Sequence, residues 1–208
     1  PLACLCDVTG IYGTADKPGG SLAGWMLEAA PAAGGSWTAI ASGDDPVVNG
    51  FLGTWFASGL AEGYYLLRLT AWDACNITGT AVQVVWLDQQ MDSTDLRAPS
   101  AGQIIGGTVC ADGTVWDHCG GVFALERRGV SGGYVPFDTV NTPWILNDPL
   151  GSWNTRVGTP DGSYAIRLST TDFCGNTGLA TVSVDVDNTP PIAVITSPTM
   201  CAVVDGAV

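Results

Sequence analysis

The sequence predicts an all-β protein made of consecutive antiparallel β-sandwiches of about seven strands each. Three observations predict it. The chain repeats itself: GYYLLRLTAWDACNITG (63–79) returns as GSYAIRLSTTDFCGNTG (162–178), which sets Tyr65 on Tyr164, Arg68 on Arg167, Asp73 on Asp172 and Cys75 on Cys174, each 99 positions on. Runs such as YYLLRLTAW, TAVQVVWLD and ATVSVDVD alternate large apolar with small or polar residues, the period of a strand with one buried face. Clusters such as DKPGG, SGDDP, NTP, NDPLG and TPDG punctuate those runs as turns. A repeat near a hundred residues can bury its own core, so the period marks self-sufficient modules rather than solenoid turns.

The elements follow by register. In the second module, strands are expected near 93–98, 105–115, 121–128, 134–139, 151–157, 163–171 and 179–187. The one helix candidate, SLAGWMLEAA, aligns with GGVFALERR, whose Gly-Val-Phe favours a strand at both places. GTWFASGL (53–60) answers GSWNTRVG (151–158), so Trp55 and Trp153 are equivalent and are assigned to the core, together with Trp25 and Trp37. Module one, 1–88, starts beyond the position of its opening strand, and module two spans 89–188. The remainder, 189–208, carries a further opening strand in PPIAVITSP (190–198), and its Cys201 answers Cys4.

Composition narrows the function. Charged residues are only 13% against 46% apolar, about half the usual charged share. A formal charge of -13 argues against nucleic acid or an anionic membrane as partner, since both recruit clustered Lys and Arg. No apolar run approaches the ~18 residues of a spanning helix, so membrane insertion is not expected. Seventeen Asp against three Glu favour turns, caps and hard-cation ligands over helices. Seven cysteines without a CxxC pair, beside the single His118, point to disulfides of an exported protein, with at least one thiol unpaired within the chain.

The strand motifs resemble those of bacterial immunoglobulin-like (fibronectin-III-like) repeats of very large secreted and surface proteins. The residues that carry the resemblance are Asp161-Gly162-Ser163-Tyr164, Arg167, Asp172, Gly175-Asn176 and Asp187-Asn188-Thr189-Pro190-Pro191. Module one matches more loosely through Glu62-Gly63-Tyr64-Tyr65, Arg68 and Asp73, and its linker LDQQMDSTD lacks the double proline. The resemblance implies tandem antiparallel seven-stranded immunoglobulin-like β-sandwiches at the cell surface or outside the cell. Its function classes are fibres, sheaths, adhesins and spacers; the family is mostly free of cysteine, so the cysteines here are a departure from it.

Candidate sites follow. Asp73 and Asp172 open the turn before the last strand, either as Asx caps or as calcium ligands. In the second reading Asp172 and Asp117 face the linker residues Asp88, Asp92 and Asp95, and Ca2+ stiffens the joint. Cys119 and Cys174 are expected at one end of module two and are the candidate disulfide pair. Cys75 is left to seek Cys4, Cys6 or another chain, and the pairing of Cys110 and Cys201 is open. No Ser-His-Asp set is available around a single histidine, and the chain is read as non-enzymatic. Its expected partners are copies of itself or adjacent modules: Ile192, Val194 and Ile195 would enter a neighbour's module one as its opening strand.

Overall fold

The computed structural model describes residues 3–140 and 144–197, and among these there are fifteen strands and no helix. Strands β1 (Ala3–Leu5), β2 (Val8–Ala15), β3 (Leu22–Pro31), β4 (Thr38–Gly43), β5 (Val47–Phe56), β6 (Gly63–Asp73) and β7 (Thr78–Leu87) form two sheets, ordered β1-β7-β6-β3-β4 and β2-β5. Strands β8 (Ser93–Ala98), β9 (Gln103–Ile105), β10 (Thr108–Trp116), β11 (Gly121–Arg128), β12 (Val135–Val140), β13 (Trp144–Asn154), β14 (Gly162–Asp172) and β15 (Thr177–Val186) form two more, ordered β13-β10-β8 and β12-β11-β14-β15-β9.

In each half the two sheets face one another across an apolar core. Trp55 of β5 packs with Tyr65 and Leu67 of β6 and with Val85 and Leu87 of β7. In the other half Ala111 and Val115 of β10 and Leu150 of β13 meet Phe123, Leu125 and Leu168 from the opposite sheet. The alternation read from the sequence is the cause, since only every second residue of a strand reaches the core.

Local devices recur with the repeat. Tyr65 donates its hydroxyl to the Ala61 carbonyl at 3.0 Å and meets Trp55 edge-on at 5.3 Å. Tyr164 does the same with Pro160 at 3.1 Å and Trp153 at 5.4 Å. This bond from a tyrosine to a carbonyl upstream is the tyrosine corner of sandwich folds. The strand carrying each tyrosine opens on a glycine of positive φ, 141° at Gly63 and 139° at Gly162, where a side chain would strain the backbone.

Several expectations are corrected. The strand expected at 105–115 is two, because Gly106-Gly107 breaks it, with φ 77° at Gly107. The strand expected at 151–157 begins at Trp144: Asp148 and Pro149, which look like a turn, sit in a doubly bulged ladder with β10. Trp37 is not in the core; it is partly exposed, with the Arg68 guanidinium 3.9 Å above its ring.

The two halves differ in one element. β1 corresponds to β9, each pairing in parallel with the last strand of its half. β2 corresponds to β10, with both bulges at matching places. β8, which pairs with β10 and packs Leu96 against two core clusters, has no counterpart among the described residues of the first half. Among the described residues β2 pairs with β5 alone, and beside its other edge runs a 390 Å³ groove lined by Leu27, Leu52, Leu67, Leu69 and Val85. Residues 187–197 form no strand, and Ile192, Val194 and Ile195 are 92%, 74% and 86% exposed.

Candidate metal centre

Where the halves meet, Asp88 and Asp117 bring carboxylate oxygens within 4.8 Å of one another, and Asp172 lies near enough for its charge to act on both. Asp88 follows β7 and is fixed by its own N–H, which donates to the Leu5 carbonyl at 2.9 Å. Asp117 lies in the turn from β10 to β11, where its Oδ1 accepts from the Cys119 N–H at 2.7 Å. Asp172 ends β14, where its Oδ1 accepts from the Asn176 N–H at 2.8 Å. The two turn aspartates are thus Asx caps, each with a second oxygen to spare. Asp88, Asp117 and Asp172 retain only 2%, 1% and 5% of their surface exposure.

The spare oxygens are poorly served. Asn176 Nδ2 reaches Asp88 Oδ1 at 3.4 Å, and the Asp92 N–H reaches Asp117 Oδ2 at 3.4 Å. Asp88 Oδ2 and Asp172 Oδ2 are buried with no hydrogen-bond donor. Burial first, then the charges of Asp117, Asp172 and Glu62, push the Asp88 carboxyl up to about 7. Burial also raises Asp117 against the pull of the Cys119 and Asp92 N–H groups. Glu62 at the rim is raised by burial and then by Asp92.

Of the five aspartates that the sequence suggests for this joint, the structure brings two, Asp88 and Asp117, within 4.8 Å of one another, with Asp172 beside them. Asp92 lies beside them with its Oδ2 engaged by His118, whose N–H donates at 3.0 Å and whose Nδ1 lies 3.3 Å away. Asp95 does not belong: it is exposed and sits opposite Thr114 in the β8–β10 ladder. Glu62 was missed; it stands in the turn before β6, and only the packing of the halves brings it near. His118 stacks on Trp86 at 3.7 Å with Trp116 edge-on at 4.8 Å, which makes it a packed residue of the joint.

The expected Cys119–Cys174 bridge does not form. Cys119 is bonded to Cys4 and Cys174 to Cys6, with Cα separations of 5.7 and 5.3 Å. The reason is strand alternation: Leu5 packs toward the first core, so Cys4 and Cys6 project together from the other side, onto two turns of the second half. Cys75 and Cys110 are free and exposed, and Cys201, like the rest of 198–208, lies outside the described residues. The sulfur of Cys119, 4.8 Å or less from oxygens of Asp88 and Asp117, is therefore a disulfide sulfur and offers no thiolate.

No protein-family model and no curated protein sequence matches the chain. Among solved structures it is similar to the FN1–FN3 domains of chicken CNTN1, at 12% identity over 89% of this chain and 68% of that one, with a TM-score of 0.37. It is also similar to a tetra-tandem repeat from the extending region of a large adhesion protein, at 16% identity over 88% of this chain and 50% of that one, TM-score 0.36. A third likeness is to dimeric latent PorU from Porphyromonas gingivalis, at 12% identity over 91% of this chain but 23% of that one, TM-score 0.27.

Proposed function

We propose that the chain is a pair of immunoglobulin-like structural modules, 1–88 and 89–188, of an extracellular fibre, sheath or surface layer, and that copies join end to end. The observation that carries the reading is the groove beside β2. On β10 the corresponding place is taken by β8, with Leu96 as its core residue. Ile195 stands 99 positions after Leu96, in a segment that forms no strand of its own and whose Ile192 and Val194 are exposed. Residues 192–197 of a second copy fit the groove as an added strand, gaining a backbone ladder along β2 and covering its apolar floor. Such a contact is head-to-tail and does not close on itself, so its repetition gives a filament. Two disulfides agree with an oxidising, extracellular setting.

Deleting 190–208 tests this. The truncated chain should stay monomeric in light scattering and lose stability in its first half, and a peptide of residues 188–199 should bind it and restore that stability. Filaments from the truncated chain, or no binding by the peptide, would rule out strand addition.

A second reading, an adhesin or carbohydrate-binding module, draws on the outer face of the β2–β5 sheet. There Tyr12 and Phe51 meet edge-on at 5.5 Å and are 70% and 53% exposed, with Phe56 exposed nearby. Such rings offer a stacking platform for a sugar. Glycan binding by the wild type that Tyr12→Ala abolishes would favour it over the fibre.

A further inference from the structure

The joint between the halves has a charge arrangement that its own repeat illuminates. β2 and β10 share register and bulges, so the residue two after Ala15 corresponds to the residue two after Val115: Lys17 stands where Asp117 stands. At the outer end of the first half, Lys17 Nζ lies 2.9 Å from Asp73 Oδ2, and Asp73 is the repeat equivalent of Asp172. The one lysine of the chain thus neutralises this turn carboxylate at the end of the first half away from the joint. At the joint the same two positions are both aspartate, and Asp88 adds a third carboxylate.

We propose that Asp88, Asp117 and Asp172 bind a hard divalent cation of the calcium class, with Asp92 and Glu62 at the rim of the site. The second observation behind it is that Asp88 Oδ2 and Asp172 Oδ2 are buried without a donor, a costly state for a carboxylate unless a proton or a cation meets it. No Lys or Arg fills that role: among the described residues the ion pairs are Lys17–Asp73, Arg68–Glu28, His118–Asp92 and Arg167–Glu126, and only the histidine pair is near. The donors on offer are oxygens, with the nearby sulfur locked in a disulfide, which selects a hard cation over zinc or copper. The site is completed by both halves, so the cation couples them: Asp88 comes from the end of one sandwich, Asp117 and Asp172 from two turns of the next.

Calcium-free full chain, titrated with Ca2+ and separately with Tb3+, tests the assignment. Tb3+ luminescence excited through the nearby Trp86 and Trp116 should rise saturably, Ca2+ should displace it, and millimolar Ca2+ should raise the melting temperature. Asp88→Asn and Asp172→Asn should each weaken calcium binding at least tenfold and, in chelator, melt at or above the wild type, because an amide removes buried like charge. Asp117→Lys, which copies the outer end, should abolish binding with the fold retained by circular dichroism. Asp73→Asn should leave binding unchanged. Absence of a calcium effect on the folded wild type, or an equal loss in Asp73→Asn, would overturn the site. Because the site lies within one chain, a monomer suffices, and failure of strand addition would leave this result standing.

Discussion

At the scale of single residues, the repeat preserves pairs whose partners differ. Arg167 Nε donates to Glu126 Oε2 at 2.8 Å, Ser169 supports the same oxygen at 3.0 Å, and the guanidinium lies 3.7 Å from the Tyr134 ring. The first half repeats this with Arg68, Glu28 and Trp37, so each arginine lies between a carboxylate and an aromatic face. Arg167 holds the Glu126 carboxyl below its ordinary value. A depressed carboxyl stabilises the fold above its unfolded pKa and loses that contribution as pH falls through its folded pKa. Glu126→Gln should therefore cost about 1 kcal/mol at neutral pH and nothing once both forms are protonated, as thermal melts between pH 2.5 and pH 7 would show. The arginines and Asp73 and Asp172 could be named from the sequence because they repeat. Glu62 could not, because its role comes from the neighbouring half; nor could the surface placement of Trp37, since a tryptophan amid turn residues gives no periodicity to read.

At the scale of elements, strand alternation made most boundaries legible. The strand expected at 121–128 is Gly121–Arg128, and that at 93–98 is Ser93–Ala98. What misled was turn chemistry inside strands: bulges admit Asp148 and Pro149 to β13, and local sequence does not separate a bulge from a turn. Gly121 marks a close approach that also escapes sequence reading, as a Cβ there would lie 2.4 Å from the Thr171 carbonyl oxygen. Gly121→Ala should force β11 from β14 and cost on the order of 3 kcal/mol in chemical denaturation. β8 offers a sharper comparison. Leu96→Ala removes its main core contact and should cost about 2 kcal/mol, concentrated in the second half and visible as earlier hydrogen exchange along β10.

At the scale of the whole molecule, the disulfides are what sequence reading placed least well. It confined a bridge to one module because contacts between modules leave no period in the sequence; the Cys-Leu-Cys alternation at positions 4–6 was the available sign. Those bridges redirect mechanical force. When the chain is pulled between residues 1 and 208, tension enters through six residues, crosses from Cys6 to Cys174, and leaves through thirty-five more. Everything from residue 7 to residue 173 hangs off that path, so β2 to β7 of the first sandwich are shielded from the load and only β1 of that sandwich lies on it. At ~3.5 Å per residue the oxidised chain can reach roughly 140 Å, whereas the reduced chain can reach roughly 700 Å. Single-molecule pulling should show only short events, the peeling of β1 and β15, in the oxidised protein, and two long ones after reduction. Two long events under oxidising conditions would refute the shortcut. Chains joined end to end as proposed would respond to strain through their redox state: yielding little while oxidised, and several times longer once their thiols are freed.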